Sequence, residues 1–270
     1  MRRLLAIVAG LAALVIAASP AVAQQATPPP TLTPGVLTVA LDMPSDGFQV
    51  GAVNGSQVTF ARGLEVDLAN AVAKRLGLRT TFVNVASFND ILAAGAKPWD
   101  VAFAQVSILA GRRAAIDYTI PYMQVDQGVL LRRGLTPSPR NLAGLKRLQL
   151  CVFARSTGAA VVSKRVAPTR PARAYTTVTS LIQGLTTGRC DAVVYDAPTL
   201  AVLRSEVPLR VGPMAGVIPT AESYGGVTAD ASPLVPFLNT ALRGLIADGT
   251  VAALTTKWLS INIAALRPLT

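Results

Sequence analysis

The segment at residues 100–122, DVAFAQVSILAGRRAAIDYTIPY, places hydroxyl and guanidinium groups directly after an apolar strand. Ser107 follows that strand, and Arg112 comes five residues later. Parallel α/β sheets bind ligands in the crevice at the carboxyl ends of their strands. The planar guanidinium group suits a carboxylate, because it donates two parallel hydrogen bonds. The segment therefore predicts a site for a small anion with Arg112 as its cation, while Arg113 is expected to cap a helix or face solvent.

A carboxylate follows a second predicted strand. Residues 190–195, CDAVVY, form that strand, and Asp196 comes directly after it. At this position the side chain could contact a ligand or cap the helix that begins at Ala197, because Asp-Ala-Pro is a common helix start. Ser107 and Thr157 have the same two interpretations, since a bound carboxylate and a helix cap use the same free N–H groups. The sequence leaves these alternatives open, and both roles can coexist.

The composition excludes several classes of chemistry. Histidine is absent from the chain, which removes the commonest general base and metal ligand and any Ser-His or Cys-His nucleophile pair. No nucleophile elbow and no close carboxylate pair occurs on the predicted loops. The formal net charge is +11, but the basic residues are scattered and no run of them alternates with aromatics, as a nucleic-acid groove requires. We therefore expect a protein that binds no nucleic acid, metal or cofactor and is not an enzyme.

Two successive units of alternating strands and helices must position these residues. The first has strands at 36–41, 79–83 and 100–106 and helices at 63–77 and 87–94. The second has strands at 148–153, 173–175 and 190–195 and helices at 157–166 and 178–186. A tail adds a strand at 224–228 and helices starting at 232 and 250. This order predicts an α/β fold with two lobes, each a mostly parallel sheet flanked by helices.

The N-terminus predicts export. Two arginines precede an apolar run at residues 4–18, and small residues at 21–23 form a cleavage site. Residues 1–23 are therefore interpreted as a signal peptide and residues 24–34 as a Pro-rich tether. The mature protein is expected to be soluble and periplasmic.

Several motifs, taken in order along the chain, resemble a known family. They are the segment with Ser107 and Arg112, the helix GLEVDLANAVAKRLG, the loop ARSTGAA and the strand end CDAVVYDAPT. Each motif alone is weak, but their order and spacing behind a signal peptide make them specific together. On these motifs the chain resembles the type 3 extracellular solute-binding proteins, which are the periplasmic amino-acid-binding proteins of ABC transporters.

The resemblance implies a two-lobed periplasmic-binding-protein clamshell with a two-strand hinge. On this basis residues 35–124 form lobe 1, residues 125–220 form lobe 2, and residues 221–270 return to lobe 1. The two crossings are expected near residues 123–127 and 218–224, where a hinge would open and close the cleft. The implied function is capture of a small amino acid or related carboxylate between the lobes and delivery to an ABC permease, by a monomer.

The resemblance also assigns roles to individual residues. Arg112 is expected to bind the ligand's α-carboxylate and Asp196 its α-ammonium group. Other residues expected at the ligand are Ser107, Ser156, Thr157, Gln105, Asp42, Phe48, Leu64, Arg155 and Tyr195. Ser45 stands where the family usually has an aromatic residue, and Gln105 and Arg155 stand where it has glycine. These departures concern ligand specificity.

Two alternatives to transport are kept. An accessory or sensor protein could use the same clamshell to signal to a membrane partner, and the sequence does not separate that role from transport. The fold also hosts a few enzymes, including cyclohexadienyl dehydratase-like members. The missing histidine and the absence of a positioned acid–base pair count against an enzyme.

The two cysteines pose a separate question. Cys151 and Cys190 occur early in two strands that are expected to be neighbours in lobe 2. Adjacent strands lie about 4.8 Å apart, close to the Cα separation of a disulfide, and an exported protein meets oxidising conditions. Neighbouring parallel strands, however, often aim their Cβ atoms side by side. A disulfide and a pair of buried thiols therefore both remain open.

Overall fold

The computed structural model describes residues 27–259 and 265–270, so the predicted signal peptide lies outside the described residues. The strands are β1 Val36–Leu41, β2 Val50–Asn54, β3 Gln57–Arg62, β4 Arg79–Asn84, β5 Val101–Ala102, β6 Ile116–Arg132, β7 Leu150–Phe153, β8 Arg173–Tyr175, β9 Ala192–Asp196 and β10 Val211–Ala229. The α-helices are α1 Leu64–Arg75, α2 Phe88–Leu92, α3 Leu142–Lys146, α4 Thr157–Val161, α5 Val178–Thr186, α6 Ala197–Glu206, α7 Val235–Ala247 and α8 Thr250–Leu259. None of the helices in these ranges has the length and apolar character that a membrane span requires.

Lobe 1 is organised around β1, which pairs in parallel with β4 on one side and β5 on the other. Val39 lies opposite Phe82 in β4 and opposite Val101 in β5. The apolar face of α1, with Leu68 and Val72 fully buried, covers this sheet. Parallel strands present their carboxyl ends at one edge, so the residues that follow β1 and β5 meet there.

The segment between β1 and α1 differs from the predicted loop. It contains the antiparallel hairpin β2–β3, in which Asn54 pairs with Gln57 and the turn is formed by Gly55 and Ser56, with Gly55 at φ 60°. Some tight two-residue hairpin turns need positive φ at their first turn position, which glycine adopts readily. Most residues of the hairpin are exposed, so it lacks the alternating apolar pattern that indicates a strand. The prediction of a loop here is wrong.

Lobe 2 is organised around β7, which pairs in parallel with β8 and β9. Cys151 lies opposite Arg173 in β8 and opposite Val193 in β9. Cys190 precedes β9, and the two cysteines form a disulfide with a Cα separation of 5.8 Å. Of the two alternatives that the sequence left open, the disulfide is the one that the structure contains.

Two long antiparallel strands connect the lobes. The strand β6 pairs with β9 in lobe 2, and β10 pairs with β5 in lobe 1 through Val227 and Ala102. The pairing of β6 with β10 shifts register between Ile218 and Glu222, and Ala221 has φ 52°. The complete sheet has the order β2-β3-β4-β1-β5-β10-β6-β9-β7-β8. This confirms the two-lobed α/β fold with a two-strand connection.

The C-terminal residues pack against lobe 2, although the tail was expected to return to lobe 1. The helix α8 packs against α1 in lobe 1. Beyond it, the Leu269 N–H donates to Val217 O at 2.7 Å, and the Val217 N–H donates to Arg267 O at 2.9 Å. The Leu269 side chain is fully buried in the core of lobe 2. The chain therefore contacts lobe 2 again after its return to lobe 1.

Candidate ligand-binding site

The loop after β5 places Ser107 and Arg112 next to each other. Ser107 is buried, and its carbonyl oxygen accepts a hydrogen bond of 3.3 Å from Arg112 Nη1. The Arg112 guanidinium lies 5.9 Å from the centroid of the Phe88 ring and remains partly exposed. Arg113 is exposed and stacks over Tyr118 instead. Arg112 is thus held beside the serine, whereas its neighbour faces solvent.

Asp196 ends β9 and is almost completely buried. Its Oδ1 accepts a hydrogen bond of 2.7 Å from Gln127 Nε2, and its Oδ2 accepts one from the Tyr224 hydroxyl. Burial raises the pKa of Asp196 to about 6, and the hydrogen bonds from Tyr224 and Gln127 oppose this increase. Asp196 is the N-cap residue of α6, but its side chain makes no capping hydrogen bond. Its carboxylate is therefore directed to the side chains of the two connecting strands.

Gln127 and Glu222, one from each connecting strand, complete the polar cluster. Gln127 is fully buried, and its Nε2 also lies 3.1 Å from Thr157 Oγ1 and 3.4 Å from Glu222 Oε1. Glu222 Oε2 accepts a hydrogen bond of 3.0 Å from the Ser107 hydroxyl. One amide group thus links two carboxylates, and Glu222 joins the serine of lobe 1 to the residues of lobe 2. Both residues fall within the two crossings expected from the sequence, but neither was predicted to contact the ligand.

The loop before α4 brings Thr157 to this cluster, whereas the side chains of Arg155 and Ser156 lie outside it. Ser156 caps α4, since its Oγ accepts a hydrogen bond of 3.1 Å from the Ala159 N–H. Arg155 is exposed and has φ 62°, a left-handed conformation that favours glycine. Thr157 is therefore the member of this loop whose side chain contacts the cluster.

A second buried carboxylate supports the site from lobe 1. Glu65 Oε1 accepts a hydrogen bond of 2.6 Å from the Gln105 N–H and another from the Tyr122 hydroxyl, while its Oε2 accepts from Gln49 Nε2. Burial raises the pKa of Glu65 to about 7. Glu65 is not among the site residues predicted from the sequence. Its helical spacing, on the same face as Leu68 and Val72, is the signal that could have indicated burial.

The remaining predicted residues occupy different environments. Phe48 and Leu64 are buried in the lobe 1 core, where Phe48 packs edge-to-face on Tyr224. Asp42 follows β1 and is half-buried, and its pKa is raised mainly by burial and further by Asp90. Tyr195 precedes Asp196 and packs on Phe153 with 5.6 Å between ring centroids.

The arrangement brings opposite charges and several neutral donors together in one hydrogen-bonded cluster. A guanidinium group and a serine hydroxyl lie on the lobe 1 side, and a buried carboxylate with a threonine hydroxyl lies on the lobe 2 side. A molecule with both a carboxylate and an ammonium group would match these charges. Among the described residues, no group of three or more histidine, cysteine, aspartate or glutamate side chains is placed to hold a metal ion.

Comparison with known proteins shows similarity along most of the chain. A probable histidine-binding protein of Neisseria gonorrhoeae is 28% identical over 203 residues, which are 73% of this chain and 75% of that protein. The structure of an ancestral arginine-binding protein bound to glutamine superposes with a TM-score of 0.71 and 28% identity over 84% of this chain and 98% of that one. An ancestral amino-acid-binding protein described as a precursor of cyclohexadienyl dehydratase has the same fold, with a TM-score of 0.70, 24% identity and coverage of 83% and 95%.

The family comparison agrees with these similarities and with the motifs around Ser107, Arg112 and Asp196. The bacterial extracellular solute-binding proteins, family 3, match residues 37–261, from the first strand to beyond the last helix. The protein belongs to family 3 of the bacterial extracellular solute-binding proteins.

Proposed function

We propose that the protein captures a free amino acid, or a closely related zwitterion, between its lobes in the periplasm. The closed form would then present the ligand to the permease of an ABC transporter. The observation that carries the proposal is the pairing of a cationic Arg112 beside Ser107 in lobe 1 with a buried Asp196 in lobe 2. The relatives named as histidine- and arginine-binding proteins support the same class of ligand.

The ligand would lie along the line from Arg112 to Asp196. Its α-carboxylate would take hydrogen bonds from the Arg112 guanidinium and the Ser107 and Thr157 hydroxyls. Its ammonium group would meet both Asp196 and Glu222, since these carboxylates share the Gln127 amide at 2.7 and 3.4 Å. Asp42, Gln105 and Tyr195 would surround the ligand's side chain, with Ser156 and Arg155 at the edge of the lobe 2 loop.

Thermal unfolding in the presence of each of the twenty amino acids and a set of small carboxylates tests the proposal. A ligand that binds only the folded protein at a hundredfold excess over Kd stabilises it by about 2.7 kcal/mol. We expect stabilisation by at least one amino acid in the wild type and its loss in Asp196→Asn. If simple carboxylates stabilise the protein and no amino acid does, the ligand is not a zwitterion. If no compound stabilises it, the proposed function is wrong.

A second candidate function, catalysis, rests on one observation. Asp196 has a raised pKa of about 6 and lies close to Glu222, and such a carboxyl group can transfer protons near neutral pH. Incubation of the protein with each ligand found in the screen, followed by mass spectrometry, distinguishes the two functions. A binding protein returns the ligand unchanged, whereas an enzyme converts more than one equivalent.

Transport and sensing are distinguished by a different experiment, which asks whether the protein co-purifies with a permease.

A further inference from the structure

We propose that Gln105 determines the ligand specificity of this site by closing the polar cluster off from a neighbouring cavity that is lined by residues of both lobes. The inference rests on the proposed function and adds a limit on the length of the ligand's side chain. In this interpretation Gln105 acts as a partition, which favours amino acids with short side chains. The argument depends on three features: the contacts of the Gln105 amide, the cavity behind it, and the way its backbone is held.

The Gln105 side chain spans the cleft. Its Nε2 donates a hydrogen bond of 2.6 Å to Ser45 Oγ, in the loop that follows β1 of lobe 1. Its Oε1 accepts a hydrogen bond of 2.9 Å from Thr199 Oγ1, in helix α6 of lobe 2. Both ends of the amide are therefore engaged, one by each lobe.

A cavity of about 290 Å³ lies beyond these contacts. Ser45 and Thr199 both line it, whereas Ser107, Asp196 and Gln127 do not. Helix α6 runs from Asp196 at the polar cluster, through Thr199, to Leu203 and Glu206 in the cavity wall. Thr199 thus lies between the polar cluster and the cavity. The remaining walls combine apolar and polar residues from α5, the end of α6 and the residues that follow it, and the loop after β1, and they include the charged side chains of Asp46, Glu206 and Arg210.

The backbone of Gln105 is fixed in an unusual conformation. Gln105 has φ 52°, a left-handed conformation that is less favourable for a residue with a Cβ than for glycine. Its N–H donates to the buried Glu65 carboxylate at 2.6 Å, and Glu65 is held in turn by Tyr122 and Gln49. This chain of buried contacts directs the Gln105 side chain across the cleft. A long ligand side chain that extends from the polar cluster towards the cavity must displace it.

Isothermal titration of the wild type and Gln105→Gly against amino acids of increasing length tests the inference. The ligands are the twenty amino acids and the unbranched series alanine, 2-aminobutyrate, norvaline and norleucine. For each ligand the measured quantity is the ratio of Kd in the wild type to Kd in the variant. We expect this ratio to increase with side-chain length, by about tenfold or more between alanine-sized and norleucine-sized ligands. Glycine accepts the positive φ, so the variant is expected to fold.

Two further variants separate the effect of Gln105 on ligand length from the effect of its hydrogen bond to the other lobe. Asparagine tolerates the left-handed conformation but is too short to reach both partners, so Gln105→Asn should show the same trend more weakly. Thr199→Val removes the hydrogen bond to Gln105 at nearly constant side-chain volume and should weaken the binding of all ligands by a similar factor. If the wild type binds amino acids and the ratio does not change with length in either Gln105 variant, this inference alone is wrong. If the wild type binds none, the proposed function fails and the inference fails with it.

Discussion

Asp196 begins helix α6, yet its carboxylate makes no hydrogen bond to that helix. The sequence predicted the position of this residue at the end of a strand and left two roles open. The structure shows that its partners are Gln127 and Tyr224, which are 69 and 28 residues away along the chain. Such partners depend on how β6 and β10 pair, and no local pattern encodes that pairing. The position of Asp196 at the end of a strand was thus predictable, whereas its hydrogen bonds were not.

Arg112 and Arg113 form a matched pair for mutation, because they are adjacent and differ in environment. If Arg112 binds a carboxylate, Arg112→Ala should weaken amino-acid binding by roughly 30- to 1000-fold, or about 2–4 kcal/mol. Arg113→Ala should change it by less than about 1 kcal/mol, as expected for an exposed charge. Calorimetry on the two variants is the measurement. Equal, small losses would place Arg112 outside the site.

The raised pKa of Asp196 predicts how the stability of the ligand-free protein depends on pH. Its folded pKa of about 6 lies above the ordinary value of 3.8, so the folded state holds this proton more tightly than the unfolded chain does. The resulting stabilisation is fully present below about pH 4 and is lost as pH increases through 6. The free energy of unfolding of the wild type, relative to Asp196→Asn, should therefore increase by about 2–3 kcal/mol from pH 8 to pH 4.

Urea unfolding of both proteins at several pH values measures this difference. Glu65 has a pKa of about 7 and contributes with the same sign, but it is present in both proteins and cancels in the comparison. A pH-independent difference would show that Asp196 keeps an ordinary pKa in the folded protein.

At the scale of elements, the predictions succeeded where local patterns are strong. The bounds of β1, β8, α5 and α8 agree with the sequence analysis, and Ser87 caps α2 through a hydrogen bond to the Asn89 N–H. The long strands β6 and β10 were recognised only in part, because register shifts and proline interrupt their apolar alternation. Helix 157–166 continues after Val161 as a π-helical turn, a change of hydrogen bonding that side-chain periodicity does not reveal.

The disulfide between Cys151 and Cys190 gives a prediction at this scale. It joins β7 to the segment before β9 and closes a loop with a sequence separation of 39 residues. On the chain-entropy argument it should stabilise the protein by roughly 2–4 kcal/mol. Denaturant unfolding of the Cys151→Ala/Cys190→Ala double variant should show this loss, while ligand affinity stays within about twofold. Alkylation of both cysteines in the unreduced wild type would contradict the bridge.

At the scale of the whole molecule, the sequence predicted the α/β class and the two lobes but not the final course of the chain. Residues 221–270 were expected to return to lobe 1, and within this range α7 and α8 contribute buried residues to the core cluster that contains β1 and α1. The last residues instead add to the edge of β10 at Val217. Gly216 permits this approach, because a Cβ there would lie 2.2 Å from Arg267 O. A glycine in the sequence can indicate that another backbone segment approaches closely, but it does not identify that segment.

Leu269 allows this contact to be tested. Its side chain is fully buried in the lobe 2 core, so Leu269→Ala should lower the free energy of unfolding by about 2–4 kcal/mol. Leu209, which is 76% exposed, provides a control in which the same substitution should cost less than about 0.5 kcal/mol. Urea unfolding of both variants decides the point, and equal effects would mean that the C-terminal contact contributes no stability.

The position of the C-terminal residues also suggests how closure could be observed directly. Near the other end of the described chain, the Leu32 N–H donates to Asp100 Oδ1 at 2.7 Å, which fixes that segment to lobe 1. Because Leu269 is fixed to lobe 2, the first and last segments of the described residues are attached to opposite lobes. A donor fluorophore near Thr31 and an acceptor at Thr270 would therefore change their energy transfer when the lobes move, without a probe in the cleft. Because the labelled positions lie in segments that contact different lobes, labelling them would convert the protein into a fluorescent sensor for its amino-acid ligand.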